Sequence, residues 1–422
     1  MFKTCFIIMI FQLGVAMFGF SQDTISLIYC LDKTTQNHPR SGNSAILESI
    51  TENKIQNIRT GNLPQVELNG RASYQSDVIG LDIPIPNIDI PTSPRDQYKL
   101  SLDITQSIYD GGITKNKQRI EGLSEQLDKS QLEMDIRTSK MQVKDLFYNI
   151  LIIQKNEEIL DISLSQLLKN KMVVETGIKN GALLNTDMDL LDVEIIRMKQ
   201  RKMELENARI TGLQVLGYKM GEEISGSTLL KQTNFIVPKN DSIQRLEERL
   251  FDLQSQQLGQ NIELIKSRAL PKVFAFGQFG YGNPGLNVLK NGFDTYYVVG
   301  AGLKWTIWDW KNSSRDKELV GLQQNIIESR KNQFETEINA ALMNQKSVIK
   351  NHAENLEAYG NIMVLRSHIT ETAKKQLENG VIRTIDFVAV LDQETIARIQ
   401  FETEKTLLQQ SIARYLEIKG EL

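Results

Sequence analysis

Two aspartates stand out by position. Asp187 follows Gly181 by six residues, Asp386 follows Gly380 by six, and the two pairs lie 199 residues apart. A carboxylate that recurs around an axis at a narrow point favours cations over anions, because it fixes negative charge where little water is left to screen it. The same residue just after a turn also serves as a helix N-terminal charge, favourable with the helix dipole. Both readings are open on the sequence. Thr186 precedes the first aspartate, and Arg383 is the first basic residue after Gly380.

Other chemistries find little support. His38, His352 and His368 are far apart, with no Cys or carboxylate spacing of ligand type around them, so no metal site is expected. Gly280 to Gly285 fits G-x-G-x-x-G, but Pro284 and the lack of a following helical pattern remove the phosphate-cradle context. No Gly-x-Ser-x-Gly or P-loop pattern occurs, and no acid–base pair stands out from the helical charges. The expectation is no catalytic residue, no cofactor and no enzyme. The 49 Lys and Arg against 52 Asp and Glu are interleaved along helices, a solvated pattern that gives no reason to expect nucleic acid.

The elements that must carry the aspartates come twice. The stretch from Tyr98 to Asp187 returns from Tyr297 to Asp386, with Asp110 echoed by Asp309. Tyr98, Leu100, Leu102 and Ile104 alternate with Lys99, Ser101, Asp103 and Thr105, the mark of a two-faced strand. Leu146, Ile150, Ile153, Leu160, Leu164 and Leu167 then follow a coiled-coil spacing, and neither Pro nor Gly interrupts the run between Gly122 and Gly177. A helix over about 113–178 would rise roughly 100 Å at about 1.5 Å per residue.

The first repeat is set at 22–218, with strands at about 64–75 and 98–109 and a second helix from about Asp187 to Leu216. An equatorial loop at 219–240 separates it from the second repeat at 241–422. That repeat has a helix from about Ser242 to Arg268, strands at about 271–282 and 296–308, and a long helix at about 313–378. The fourth strand places Trp305 and Ile307 on its apolar face, and Ser313, three residues before Asp316, suggests a helix cap. Gly61 is expected to cap a helix from about Asn43 to Arg59, and a loop at 76–97 holds Pro84, Pro86, Pro91 and Pro94.

Lys3, an apolar run from Cys5 to Phe20 and the small residues Gly19 and Ser21 resemble a cleavable secretory signal over 1–21, with an uncleaved anchor as the alternative. Cys30 then stands alone in the mature chain, without a partner for an internal disulfide and in a poor context for lipidation. No other apolar stretch approaches 18 residues, so any crossing of a membrane must be by strands. Four strands fall short of the roughly eight a barrel needs, and open edges in lipid leave backbone groups unpaired, so the chain must oligomerise.

Several motifs carry a resemblance: Asn37-His38-Pro39, Leu63-Pro64 and Leu270-Pro271, Tyr109-Asp110-Gly111-Gly112, and Gly-x5-Asp at 181–187 and 380–386. In their order and duplication the chain resembles the TolC-like outer-membrane efflux protein family over essentially its whole mature length. The resemblance implies a mainly α fold with a transmembrane β section, closed as a homotrimer with a twelve-stranded barrel continued by a helical periplasmic tunnel. It implies an exit duct of a tripartite efflux pump or type I secretion system, passive, in the outer membrane of a Gram-negative bacterium. Its partners would be outer-membrane lipid, a periplasmic adaptor of the membrane fusion type, and an inner-membrane pump, of the RND class foremost or of the ABC or MFS class.

On the same footing, Asp386 and Asp187 become candidates for the pore constriction. Thr186 and Asp187 match positions that lock a closed entrance against an Arg of the other hairpin, for which Arg383 is the nearest candidate. Asn180, Gly181, Asn379 and Gly380 would form the tips that meet the adaptor, although Asn-Gly also satisfies an ordinary helix–helix turn. A different class of protein, a periplasmic coiled-coil adaptor or structural scaffold, would explain the rods and the signal but not four amphipathic strands.

Overall fold

The computed structural model describes residues 24–79, 92–238 and 243–422. The expected signal at 1–21, the prolines at 84, 86 and 91, and the expected helix start at Ser242 lie outside the described residues. The chain forms two units. A sheet unit comprises Pro39–Thr138, Pro238–Lys346 and Tyr415–Leu422, and a hairpin unit comprises the residues up to His38, Ser139–Val237 and Ser347–Arg414.

In chain order the elements are β1 (Thr24–Ser26), α1 (Leu27–Gln36), α2 (Asn43–Thr60), β2 (Gln65–Tyr74), β3 (Asp96–Tyr109), α3 (Ile113–Lys179), α4 (Asn185–Met220), β4 (Leu229–Lys231), α5 (Leu246–Arg268), β5 (Lys272–Asn283), β6 (Asp294–Lys304), α6 (Asn312–Glu378) and α7 (Thr384–Lys419). The duplication is kept in the backbone. Both α3 and α6 have 67 residues and both α4 and α7 have 36, offset by the same 199 positions (113 to 312, 185 to 384). No described helix is long and apolar enough to cross a membrane.

The sheet unit holds an antiparallel sheet in the order β2-β3-β5-β6. Leu68 pairs with Leu102, Leu102 with Phe279, and Phe279 with Tyr297, so one row of large apolar side chains crosses all four strands. This face is exposed in the single chain, from Val66 and Leu68 to Tyr297 and Val299. The opposite face is polar on β2 and β3 but carries Phe274 and Phe276 on β5. Those rings lie over Gly302 and Gly300 of β6, so closely that a Cβ at either glycine would meet ring atoms at 2.3 and 2.7 Å. Aromatic cover of a cross-strand glycine explains why β5 alternates poorly. β2 and β6 leave open edges.

Two local expectations are corrected. β6 ends at Lys304 instead of continuing to 308, because its pairing stops at Lys272, the first residue of β5 after Pro271. Beyond it, Trp305 donates through Nε1 to the carbonyl of Ala269 at 3.1 Å, and Ile307, Trp308 and Trp310 stand exposed. The cap of α6 is Asp309, whose carboxylate accepts from the amide of Ser313 at 2.9 Å and from its hydroxyl; Ser313 lies within the helix. Gly61 is the C-cap of α2 as expected, its amide reaching back to the carbonyl of Ile58 at 3.3 Å, but at φ −61°, a conformation open to any residue.

In the hairpin unit, β1 and β4 pair in parallel, Thr24 with Leu229 through Ser26 with Lys231. Gln154 on α3 holds β4 from the side, donating to the carbonyl of Leu230 at 3.3 Å and accepting from its amide at 2.8 Å. Cys30 is fully buried on α1, and burial pushes its thiol up to about 12. An inert, protonated thiol results.

Candidate functional site

The hairpin tips are built by the same device twice. α3 ends at Lys179, Gly181 turns the chain at φ 72°, and the amide of Ala182 reaches back to the carbonyl of Gly177 at 2.8 Å. After α6, Gly380 turns at φ 71° and the amide of Val381 reaches Gln376 at 2.8 Å. These left-handed turns satisfy carbonyls that the helix ends would otherwise leave bare. Asn180 and Asn379 are exposed beside them, and Asn379 donates to Lys375 at 2.8 Å.

Each aspartate begins the helix that follows. The carboxylate of Asp187 accepts from the amide of Leu184 at 3.0 Å, and that of Asp386 accepts from the amide of Arg383 at 3.3 Å. The Arg383 guanidinium also donates to Asp386 at 3.3 Å, with both side chains well exposed, so the structure brings Arg383 to its own hairpin's aspartate. Thr186 is exposed in the first turn of α4. Within one chain, then, Asp187 and Asp386 each hold a helix start and keep a solvent-facing charge.

Behind the tips a core locks the four helices together. Leu167 and Val174 of α3, Leu191 and Ile195 of α4, Leu377 of α6 and Phe387 of α7 are buried in one cluster. Two polar contacts sit in the same packing: the Ser163 and Thr395 hydroxyls at 2.8 Å, and Glu394, almost wholly buried, with Arg398 at 2.6 Å. Periodicity marks the apolar positions. It does not mark Ser163 and Thr395, because single hydroxyls on a heptad seam have no signature of their own.

The sheet supplies a second arrangement. On its polar face the carboxylate of Asp103 accepts from Asn69 at 2.6 Å, from Ser101 at 3.1 Å and from the amide of Gln278, whose oxygen accepts from Lys99 at 3.3 Å. One face of the sheet thus carries a charged ladder and the other a row of exposed apolar residues, the alternation that transmembrane strands show.

Comparison with solved structures settles the architecture. The chain superposes on the outer-membrane protein VceC of Vibrio cholerae with a TM-score of 0.65 at 8% identity, covering 93% of this chain and 96% of that one. It matches the CmeC outer-membrane channel of Campylobacter jejuni at 0.66 and 13%, covering 94% and 85%. The open state of the MtrE outer-membrane channel of Neisseria gonorrhoeae matches at 0.60 and 12%, covering 94% and 89%. The fold is that of the TolC-like outer-membrane channels. No protein-family model and no curated protein matches the sequence. With coverage above nine-tenths, the TolC-like fold takes in the sheet unit and the hairpin unit alike.

Proposed function

We propose that the protein is an outer-membrane exit duct of a Gram-negative bacterium, three copies closing one twelve-stranded barrel whose helices run into the periplasm. The observation that carries this reading is the open-edged sheet with an exposed apolar face and a charged opposite face, set on the fold of outer-membrane channels. Exposed Leu and Val on one face are costly in water and favourable in lipid, and pairing β6 of one copy with β2 of the next removes both edges. Conduction is passive. The cargo arrives from an inner-membrane pump, RND foremost and ABC or MFS otherwise, through a periplasmic adaptor docked at the tips around Asn180, Gly181, Asn379 and Gly380; a type I secretion system would use the same duct.

Asp386 and Asp187 are proposed as the charges of the constriction, with Thr186 and Arg383 taking part in the closed entrance. The test is conductance of the purified protein in planar bilayers, comparing wild type with Asp386→Asn and Asp187→Asn. Asparagine keeps the side-chain oxygen that accepts from Arg383 or Leu184, so the helix start survives while the charge is removed. Cation-preferring channels that lose preference in either variant support the duct and its constriction. Folded protein that stays a soluble monomer and never inserts returns the chain to the scaffold class.

A further inference from the structure

The inner face of the sheet orders its charges in layers. Glu67 lies directly opposite Asp103 on the neighbouring strand, and four residues further on Arg71 lies directly opposite Lys99. At about 3.4 Å per residue the two pairs are about 14 Å apart along the strand. Like charges placed directly opposite across a ladder destabilise a sheet, and exchanging partners would have given two favourable ion pairs instead. A face that accepts this cost at both places, with opposite signs, and again at its far end where Lys272 lies directly opposite Lys304, has its charges set for something other than holding the strands together.

The carboxylate of Asp103 is held in place by Asn69, Ser101 and Gln278, and the single amide of Gln278 ties it to Lys99 of the other layer. Between the layers sits Tyr296. Its side chain is only 7% exposed, its ring lies over Gly280, and the Lys99 ammonium is 5.3 Å from the ring centroid. Its hydroxyl is buried with no hydrogen-bond partner among the described residues. A dehydrated phenol oxygen without a partner is costly, and its placement on this face points to an occupant from the lumen, a water or a hydrated ion.

We infer that the barrel carries its own charge filter. This rests on the duct reading: in three copies Glu67 and Asp103 make a ring of carboxylates that takes hydrated cations, and Arg71 and Lys99 make a ring of cations that takes anions. The filter lies in the sheet and acts separately from the aspartates of the helix tips. Ions crossing the barrel meet both signs in series, so the two rings offset one another and removing either exposes the other.

The experiment is the reversal potential of single channels across a KCl gradient for wild type, Glu67→Gln and Arg71→Gln. Both positions are exposed on β2. Glu67→Gln is expected to shift the potential toward anion preference and Arg71→Gln toward cation preference. Wild type without channels overturns the duct reading itself. Channels in all three proteins with the same reversal potential overturn the filter and leave the duct standing. If a glutamine variant fails to assemble, Glu67→Cys treated with charged thiol reagents decides the matter, since Cys30 is buried and inert. A loss of conductance on labelling supports the lumen position; labelling without effect, or no labelling, overturns it.

Discussion

At the first joint between strand and long helix the chain places Gly111 and Gly112 at φ 74° and 87°; at the second, 199 positions on, Trp310 and Lys311 hold φ 56° and 62°. The backbone turn is the same and the residues are opposite in kind. What differs is the wall beside the turn. A Cβ at Gly111 would meet the carbonyl oxygen of Ser267 at 2.6 Å and the Cβ of Leu270 at 3.0 Å, whereas Trp310 is largely exposed and meets the Trp308 ring edge to face. Left-handed backbone alone costs a non-glycine residue about 1–2 kcal/mol, which a fold can carry; left-handed backbone against another helix end leaves glycine as the residue that fits.

The sharpest way to break this comparison is Gly111→Ala. Strain and a contact with backbone that cannot swing away are expected to lower stability by about 3 kcal/mol, read as an earlier heat-induced loss of helical signal. No change in that transition would mean that the wall at Ser267 yields and that the two joints are alike.

Next comes the feature the joints share. Asp110 accepts from the amides of Gly112 at 2.8 Å and Thr114 at 2.6 Å, as Asp309 accepts from Ser313. Asp110→Ala is expected to cost about 1 kcal/mol by loss of the cap. Burial pushes the Asp110 carboxyl up, but the bonds from Thr114 and Gly112 outweigh it and hold the group below its usual range. The contribution is therefore fully present above the unfolded value of about 3.9 and is lost as pH falls through the lower folded value. Wild type should weaken in that acid window more steeply than Asp110→Ala, by thermal unfolding at a series of pH values. Asp309, held low by the hydroxyl and amide of Ser313, should behave in the same direction.

The smallest expected effect is on the permissive side. Trp310→Gly relieves the left-handed strain but adds unfolded-state freedom, leaving a net gain of about 0.5 kcal/mol by the same melt. A clear loss instead would show that the Trp308 and Trp310 rings, 5.8 Å apart and edge to face, hold the joint.

Much of the molecule could be read from the chain. The 199-residue offset, the heptad rods and the apolar row through Leu68, Leu102, Phe279 and Tyr297 rest on periodic signals long enough to rise above local noise. β1 and β4 have three residues each, too short for any period, and their pairing is set by Gln154 from a distant helix. Ser313 matched a capping pattern that Asp309 fulfils, because both residues are good acceptors and only the backbone decides which stands before the first turn. At the tips, sequence placed Asp187 and Asp386 after their glycines; Arg383 bonding its own neighbour Asp386 depends on rotamers that spacing does not fix.

The three tryptophans of the chain, at 305, 308 and 310, all fall in the few residues between β6 and α6, and all are exposed in the single chain. Excited where tryptophan absorbs and the 11 tyrosines do not, the emission of the whole protein therefore originates at one joint. Its colour and its quenching follow the surroundings of that joint, which gives the molecule a built-in optical gauge that requires no dye and no mutation.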